Sequence, residues 1–144
     1  MTWKLVNYCD ENDYRAHFVR VYCSGPINTH DGIAVRFRRD QFDHCFYEST
    51  RRNGIKDQFS GVRAERIDWI KATLEDPSAC QLAGWDAQKR RYDHNRRVAL
   101  VKGNYVVVIS LKSKTTANFV TAYLMDTPAS LQKLTKAPKW VPPP

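Results

Sequence analysis

Past Asp86 the chain is almost without negative charge: Asp93 and Asp126 stand alone against 11 lysines and arginines. Residues 1–86 are balanced, with 12 basic and 13 acidic side chains. A field of one sign confined to one half needs a partner of the other sign. Nucleic acid is the first candidate, an acidic protein the second and an anionic membrane surface the third. Cysteine is also scarce. Cys9, Cys23, Cys45 and Cys80 form no C-x-x-C pair, the spacing that usually gathers zinc ligands. Nothing points to secretion, so they are expected to be free thiols, mostly buried. No apolar run approaches the ~20 residues of a membrane-crossing helix, and MTWKLVNYCDENDY holds no apolar stretch of signal-peptide length. The expectation is a cytoplasmic protein with no membrane partner.

What is present suits a folded domain. With 144 residues, 42% hydrophobic and 12% aromatic, the chain can bury one core without staples. FVRVYCSG (18–25) reads as a strand closed by Gly25-Pro26, and GIAVRFRR (32–39) as a weaker one. In RDQFDHCFYEST (39–50) the period changes. Phe42, Cys45, Phe46 and Ser49 recur at helical spacing, starting after Asp40, and His44 falls off that face. RRNGIKDQFSG (51–61) reads as a loop. Residues 60–77 read as one helix, capped by Ser60 and stopped by Pro77, with Ile67, Ile70 and Leu74 as its stripe.

After Pro77 the period becomes two. ACQLAGWD (79–86), RRVALVKG (96–103), YVVVISLKS (105–113) and NFVTAYLMD (118–126) read as four strands, with KGN and KTTA as turns. Between the first two lies AQKRRYDHNRR, a basic excursion. In the last strand the alternation predicts Val120, Ala122 and Leu124 buried under the helix that carries Ile67 and Ile70. Phe119, Thr121 and Tyr123 then share the other face. ASLQKLTKAP reads as a short amphipathic piece, and the proline-rich end from 137 to 144 as an extended tail. Helices followed by an antiparallel meander describe an α+β domain.

Hydroxyls on a sheet face are ordinary, but here three other features accompany them. These are the basic stretch, the non-core His44, and Arg63 and Arg66 on a helix. Together they supply the parts for cleaving RNA without a metal. A base takes the 2′-hydroxyl proton, cations offset charge on the phosphate, and an acid protonates the departing 5′-oxygen. Histidine suits either proton role. Tyrosine can stack on a base and threonine can orient a phosphate oxygen. No set of carboxylates, cysteines and histidines has metal-ligand spacing, so neither metal nor cofactor is expected.

The stretches FDHCFYE, RAERIDWIKATLEDP, RRVALVKGNYVVVISL and ANFVTAYLMD resemble, in kind and order, the barnase–EndoU–colicin–RelE nucleases, above all their phage-associated members. The resemblance covers roughly residues 40–126, and the T-x-Y of the closing strand is its most telling part. It implies helices packed on a four-stranded antiparallel sheet, with the nuclease domain over 40–136. Residues 1–39 match no part of the pattern and are taken into the same domain. Carried over position by position, the resemblance implies a catalytic group of His44, Arg63, Arg66, Thr121 and Tyr123. Arg90, Arg91, His94, Arg96, Arg97, Lys102 and Asn118 are the expected RNA contacts, with His94 the competitor of His44. The implied activity is a toxin- or phage-effector-like endoribonuclease acting on transfer or ribosome-associated RNA. An acidic immunity or antitoxin-type protein is a further implied partner. Two other readings stand beside it: a nucleic-acid-binding module without catalysis, and a phage structural or interaction protein with an acidic partner.

Overall fold

The computed structural model describes residues 3–51, 53, 55–86, 88–125, 127, 129, 132 and 136–140, without the side chains of 85, 86 and 93–96. Its elements are α1 (Glu11–Tyr22), β1 (Ile27–Asn28), β2 (Ala34–Arg36), α2 (Gln41–Phe46), β3 (Tyr47–Glu48), β4 (Gln58–Phe59), α3 (Gly61–Ala64), α4 (Ile67–Glu75), β5 (Cys80–Asp86), β6 (Arg91–Lys102), β7 (Tyr105–Leu111) and β8 (Thr116–Leu124). The class is α+β, as expected. The sheet, however, has six strands in the order β1-β2-β8-β7-β6-β5, not four. The expected antiparallel four are β5 to β8. Residues 27–36 add two more, and β2 lies parallel to β8. β2 falls within GIAVRFRR, the weaker strand expected from the sequence, whereas β1, two residues long, carries too little pattern to be seen before its neighbour is known.

FVRVY is the plainest correction. It belongs to α1, not to a strand, because the relevant repeat begins earlier. Tyr14, Phe18 and Tyr22 recur at four-residue spacing and are buried, while Asp10 caps the helix by accepting from the Asn12 N–H at 2.7 Å. The Tyr22 hydroxyl donates to the Ile67 carbonyl at 2.6 Å and accepts from the Lys71 N–H at 3.0 Å. Those are the two groups that a regular turn of α4 would join directly, so α1 is spliced into α4.

The expected single helix over 60–77 is also two. Ser60 caps α3 as predicted, accepting from the Arg63 N–H at 3.2 Å, but Glu65 and Arg66 form a turn before α4 begins. Helix α4 covers β6 and β7, whereas α2 lies against β8. The expected cover of the last strand by Ile67 and Ile70 is therefore wrong.

Its inner row holds at Ala122 and Leu124 but fails at Val120, and Phe119, expected on the other face, is in the core. A bulge at Val120 interrupts the β7–β8 register, so Val108 faces Thr121 and Ile109 faces Phe119. The extra residue turns the alternation over once. Ala117 and Phe119 before the bulge, and Ala122 and Leu124 after it, all contact the main core, while Val120 is only half-buried. Phe119 stacks on Phe37 with centroids 4.5 Å apart.

The cysteines are free, but only Cys45 is buried, because Cys9 and Cys80 sit at exposed positions. Gly103, at φ 59°, makes the two-residue turn between β6 and β7, as KGN suggested. The tail is not wholly free-standing. Pro138 accepts from the Ala83 N–H at 2.8 Å and the Trp140 N–H donates to Gln81 at 3.0 Å, extending the sheet beyond β5. Half of ASLQKLTKAP, and residues 141–144, lie outside the described residues.

Gln41 seals the outer edge of β8. Buried at 7% exposure, it donates from Nε2 to the Phe119 carbonyl at 2.5 Å and accepts from the Arg38 N–H at 2.8 Å. Gln41→Leu keeps the bulk and strands both backbone groups. Urea unfolding should show a loss of about 1–3 kcal/mol for such unmet partners.

Candidate active site

β2 pairs only with Thr116, Ala117 and Asn118, so the outer edge of β8 is free of strand partners from Phe119 onward. Helix α2 packs on that edge at Gln41, and α3 lies beside α2. Between them lies a cavity of about 600 Å³. His44, Arg63, Arg66, Thr121 and Tyr123 all line it, together with Glu48, Lys56 and Tyr105. Five side chains expected from three separate stretches thus meet at one place.

His44 lies on the exposed side of α2, away from Phe42, Cys45 and Phe46 in the core. Partial burial holds its pKa below the usual 6.5, and the Lys56 ammonium pushes the same way. The imidazole is therefore neutral at pH 7. Tyr123 is 45% exposed, and burial of the rest raises its pKa, so its phenol keeps its proton. Cys45 faces the same edge. Burial pushes its thiol up to about 11, against hydrogen bonds from the Ala122 backbone and the Thr121 side chain. A protonated thiol is no nucleophile at neutral pH.

The cations of the cavity differ in how far they are already engaged. Arg66 donates from Nη1 to the Val62 carbonyl at 2.6 Å and to Glu65 at 3.0 Å, and its guanidinium lies over the Trp69 ring. It braces the turn between α3 and α4. Arg63 donates to the Tyr47 carbonyl at 3.0 Å and stands 3.9 Å from the half-exposed Glu48 carboxylate. Lys56 has neither a hydrogen bond nor an ion pair to any described residue. Sequence reasoning missed it, since a lysine in a loop between Asn53 and Ser60 carries no periodic signal.

The expected RNA contacts lie elsewhere. β6 meets β7 only from Arg97 onward, and residues 91–93 pair with 84–86 alone. Most of the basic excursion thus belongs to a two-stranded ribbon projecting past the sheet. Arg90 is in its turn with φ 53°, and Arg91 is exposed at its start. His94 and Arg96 belong to the same ribbon by backbone, their side chains lying outside the described residues. The row of Arg97, Ser110 and Asn118 and the row of Tyr105 and Leu124 are at opposite ends of β7, about 17 Å apart. The backbone of His94 is therefore far from His44. Lys102 is bound to Ser78 and lies 3.5 Å from Asp76, at the end of α4.

A neutral imidazole, an unengaged ammonium and two hydroxyls around one opening can accept a proton, hold an anion and orient it. Lys56→Gln should move the His44 pKa up, toward 6.5, because one of its two depressing causes is gone and Glu48 and Arg63 remain. An NMR titration of the imidazole protons measures this. An unmoved pKa would separate the two side chains electrostatically.

Comparison of the chain with protein-family models, curated proteins and solved structures finds no match in any of the three, so a functional reading rests on the site itself.

Proposed function

We propose that the chain is a metal-independent endoribonuclease of the barnase–EndoU–colicin–RelE kind. The observation that carries this is the neutral His44 and the unengaged Lys56 lining one cavity with Thr121 and Tyr123, on a chain whose basic charge is concentrated after Asp86. The order of helices and the antiparallel β5–β8 meander supports the likeness, and β1 and β2 are additions to it. The toxin- or phage-effector-like role, a transfer or ribosome-associated RNA target and an acidic inhibitor protein follow from that likeness.

In the proposed reaction His44 takes the proton of a ribose 2′-hydroxyl, and the oxygen attacks the adjacent phosphorus. The bond to the 5′-oxygen breaks, and that oxygen takes a proton from solvent at the open mouth of the cavity. The products are a 2′,3′-cyclic phosphate and a free 5′-hydroxyl. Lys56 and Arg63 meet the charge gathering on the phosphate, where a fixed cation outside bulk water is most effective. Thr121 orients a phosphate oxygen. Tyr123 offers its ring to a base. Arg66 is a positioning residue, since its guanidinium is already taken up by Val62, Glu65 and Trp69.

His44→Ala should lower cleavage of cellular RNA by ~10²–10⁴-fold, the usual share of a proton-transfer group. It should leave the fold intact, because the side chain is exposed. His94→Ala should cut at close to the parent rate. A substrate with 2′-deoxyribose at the cut should resist, and excess chelator should not stop the reaction, since both proton transfers run without an ion. The midpoint of the acid fall in activity should lie below pH 6.5, as the lowered His44 pKa requires. The ribbon at the far end of the sheet favours one other reading, a binding module that does not cut. RNA binding by the parent chain without any cleavage would leave that reading in its place, and full cleavage by the double variant His44→Ala/His94→Ala would remove every assigned base.

A further inference from the structure

The second face of the sheet carries a row that the cavity does not use. Val35, Ala117 and Leu111 are register partners across β2, β8 and β7, and all are buried against the helices. The next residue on each strand must therefore point to the opposite face. On that face the register places Arg36, Asn118, Ser110 and Arg97 in one line, across β2, β8, β7 and β6. The line spans about 14 Å, three steps between neighbouring strands. Arg36 and Asn118 are exposed, and Ser110 and Arg97 are half-exposed. Arg36 makes no hydrogen bond or ion pair with another described residue. Nearby Arg38, by contrast, is bound to Asp40 at 3.2 Å.

We propose that this row is a binding track for the sugar–phosphate backbone of a single-stranded nucleic acid. An arginine at each end can grip a phosphate through its planar fork. The amide and hydroxyl between them are the neutral groups that commonly bond phosphate and sugar oxygens. Charge around the row fits the same partner: Lys112 and Lys114 are exposed in the turn from β7 to β8, and Arg97 continues along β6 into the ribbon with Arg91. Gly84 belongs to the arrangement. A side chain there would meet the Arg97 Cβ at 2.7 Å, so only glycine lets β5 pass this close to that arginine. A single file of separated cations with neutral donors between them suits a linear polyanion better than the clustered carboxylates of an acidic protein. The exposed Tyr123, further along β8, adds a ring on which a base can stack. The inference rests on the nucleic-acid partner proposed above, not on cleavage.

The test uses the full chain and a short, labelled 2′-deoxy oligonucleotide, followed by fluorescence anisotropy across a salt series. Each phosphate contact removed from a single strand should lower the slope of log affinity against log salt by about 0.7. Arg36→Gln, an exposed change that should not disturb folding, is expected to do so. Arg38→Gln is expected to leave the slope alone. An unchanged slope for Arg36→Gln, with circular dichroism showing the parent fold, would overturn the track. So would displacement of the oligonucleotide by poly-glutamate at an equal concentration of charge, which would assign the row to acidic proteins. Normal binding by a protein that cuts nothing would sink the nuclease reading and leave the track standing. Normal cutting with an unchanged Arg36→Gln slope would do the reverse.

Discussion

Parallel pairing of β2 with β8 ends at Arg36, and the candidate site depends on where it ends. Had β2 continued, its backbone would occupy the edge that Phe119 to Leu124 now present to α2. The chain instead leaves the sheet at Phe37, which is buried and stacked on Phe119, and turns into α2. Gln41, at the start of that helix, takes over the Phe119 carbonyl that a longer strand would have paired. One side-chain amide thus substitutes for a backbone partner and lets a helix carrying His44 approach the sheet edge. The bulge at Val120 completes the arrangement by returning Ala122 and Leu124 to the core side after Phe119.

Counting positive charges says little about which of them act on a partner. A hydrogen bond to a charged group contributes roughly 1.5–3 kcal/mol, so a guanidinium already bonded must give that up before gripping a phosphate. Arg15 is shared between Glu11 and Asp43, Arg66 is bonded at the α3–α4 turn and Lys102 is held at the end of α4. These cations serve the fold. Lys56 in the cavity and Arg36 on the second face are free of such ties to described residues, and are open to an anion. Electrostatic work is therefore divided between the open edge of the sheet and its second face.

Several elements were legible because their patterns are local. The period-two runs of β5 to β8 and the helical spacing of Phe42, Cys45 and Phe46 need no partner to be recognised. His44 could be placed off the core from that spacing alone. FVRVY misled because its β-branched residues suggest a strand, while the aromatic repeat that decides it, Tyr14-Phe18-Tyr22, begins outside the run. The bulge was hidden for another reason: NFVTAYLMD alternates without a break, and only the β7 partner shows where a residue is left over.

By itself, then, the sequence determined the α+β class, the antiparallel meander, the one-sided charge and the residue types fit for proton transfer and phosphate binding. Each follows from composition or from periods contained in one segment. Tertiary structure decided which of those residues meet. It brought His44, Lys56, Thr121 and Tyr123 around one cavity, left His94 on a distant ribbon and tied Arg66 and Lys102 to the fold. It also set Arg36 and Arg97 at the ends of one row. These meetings depend on strand order and register across the sheet. Both are settled by how the whole core packs, and no single segment contains that information.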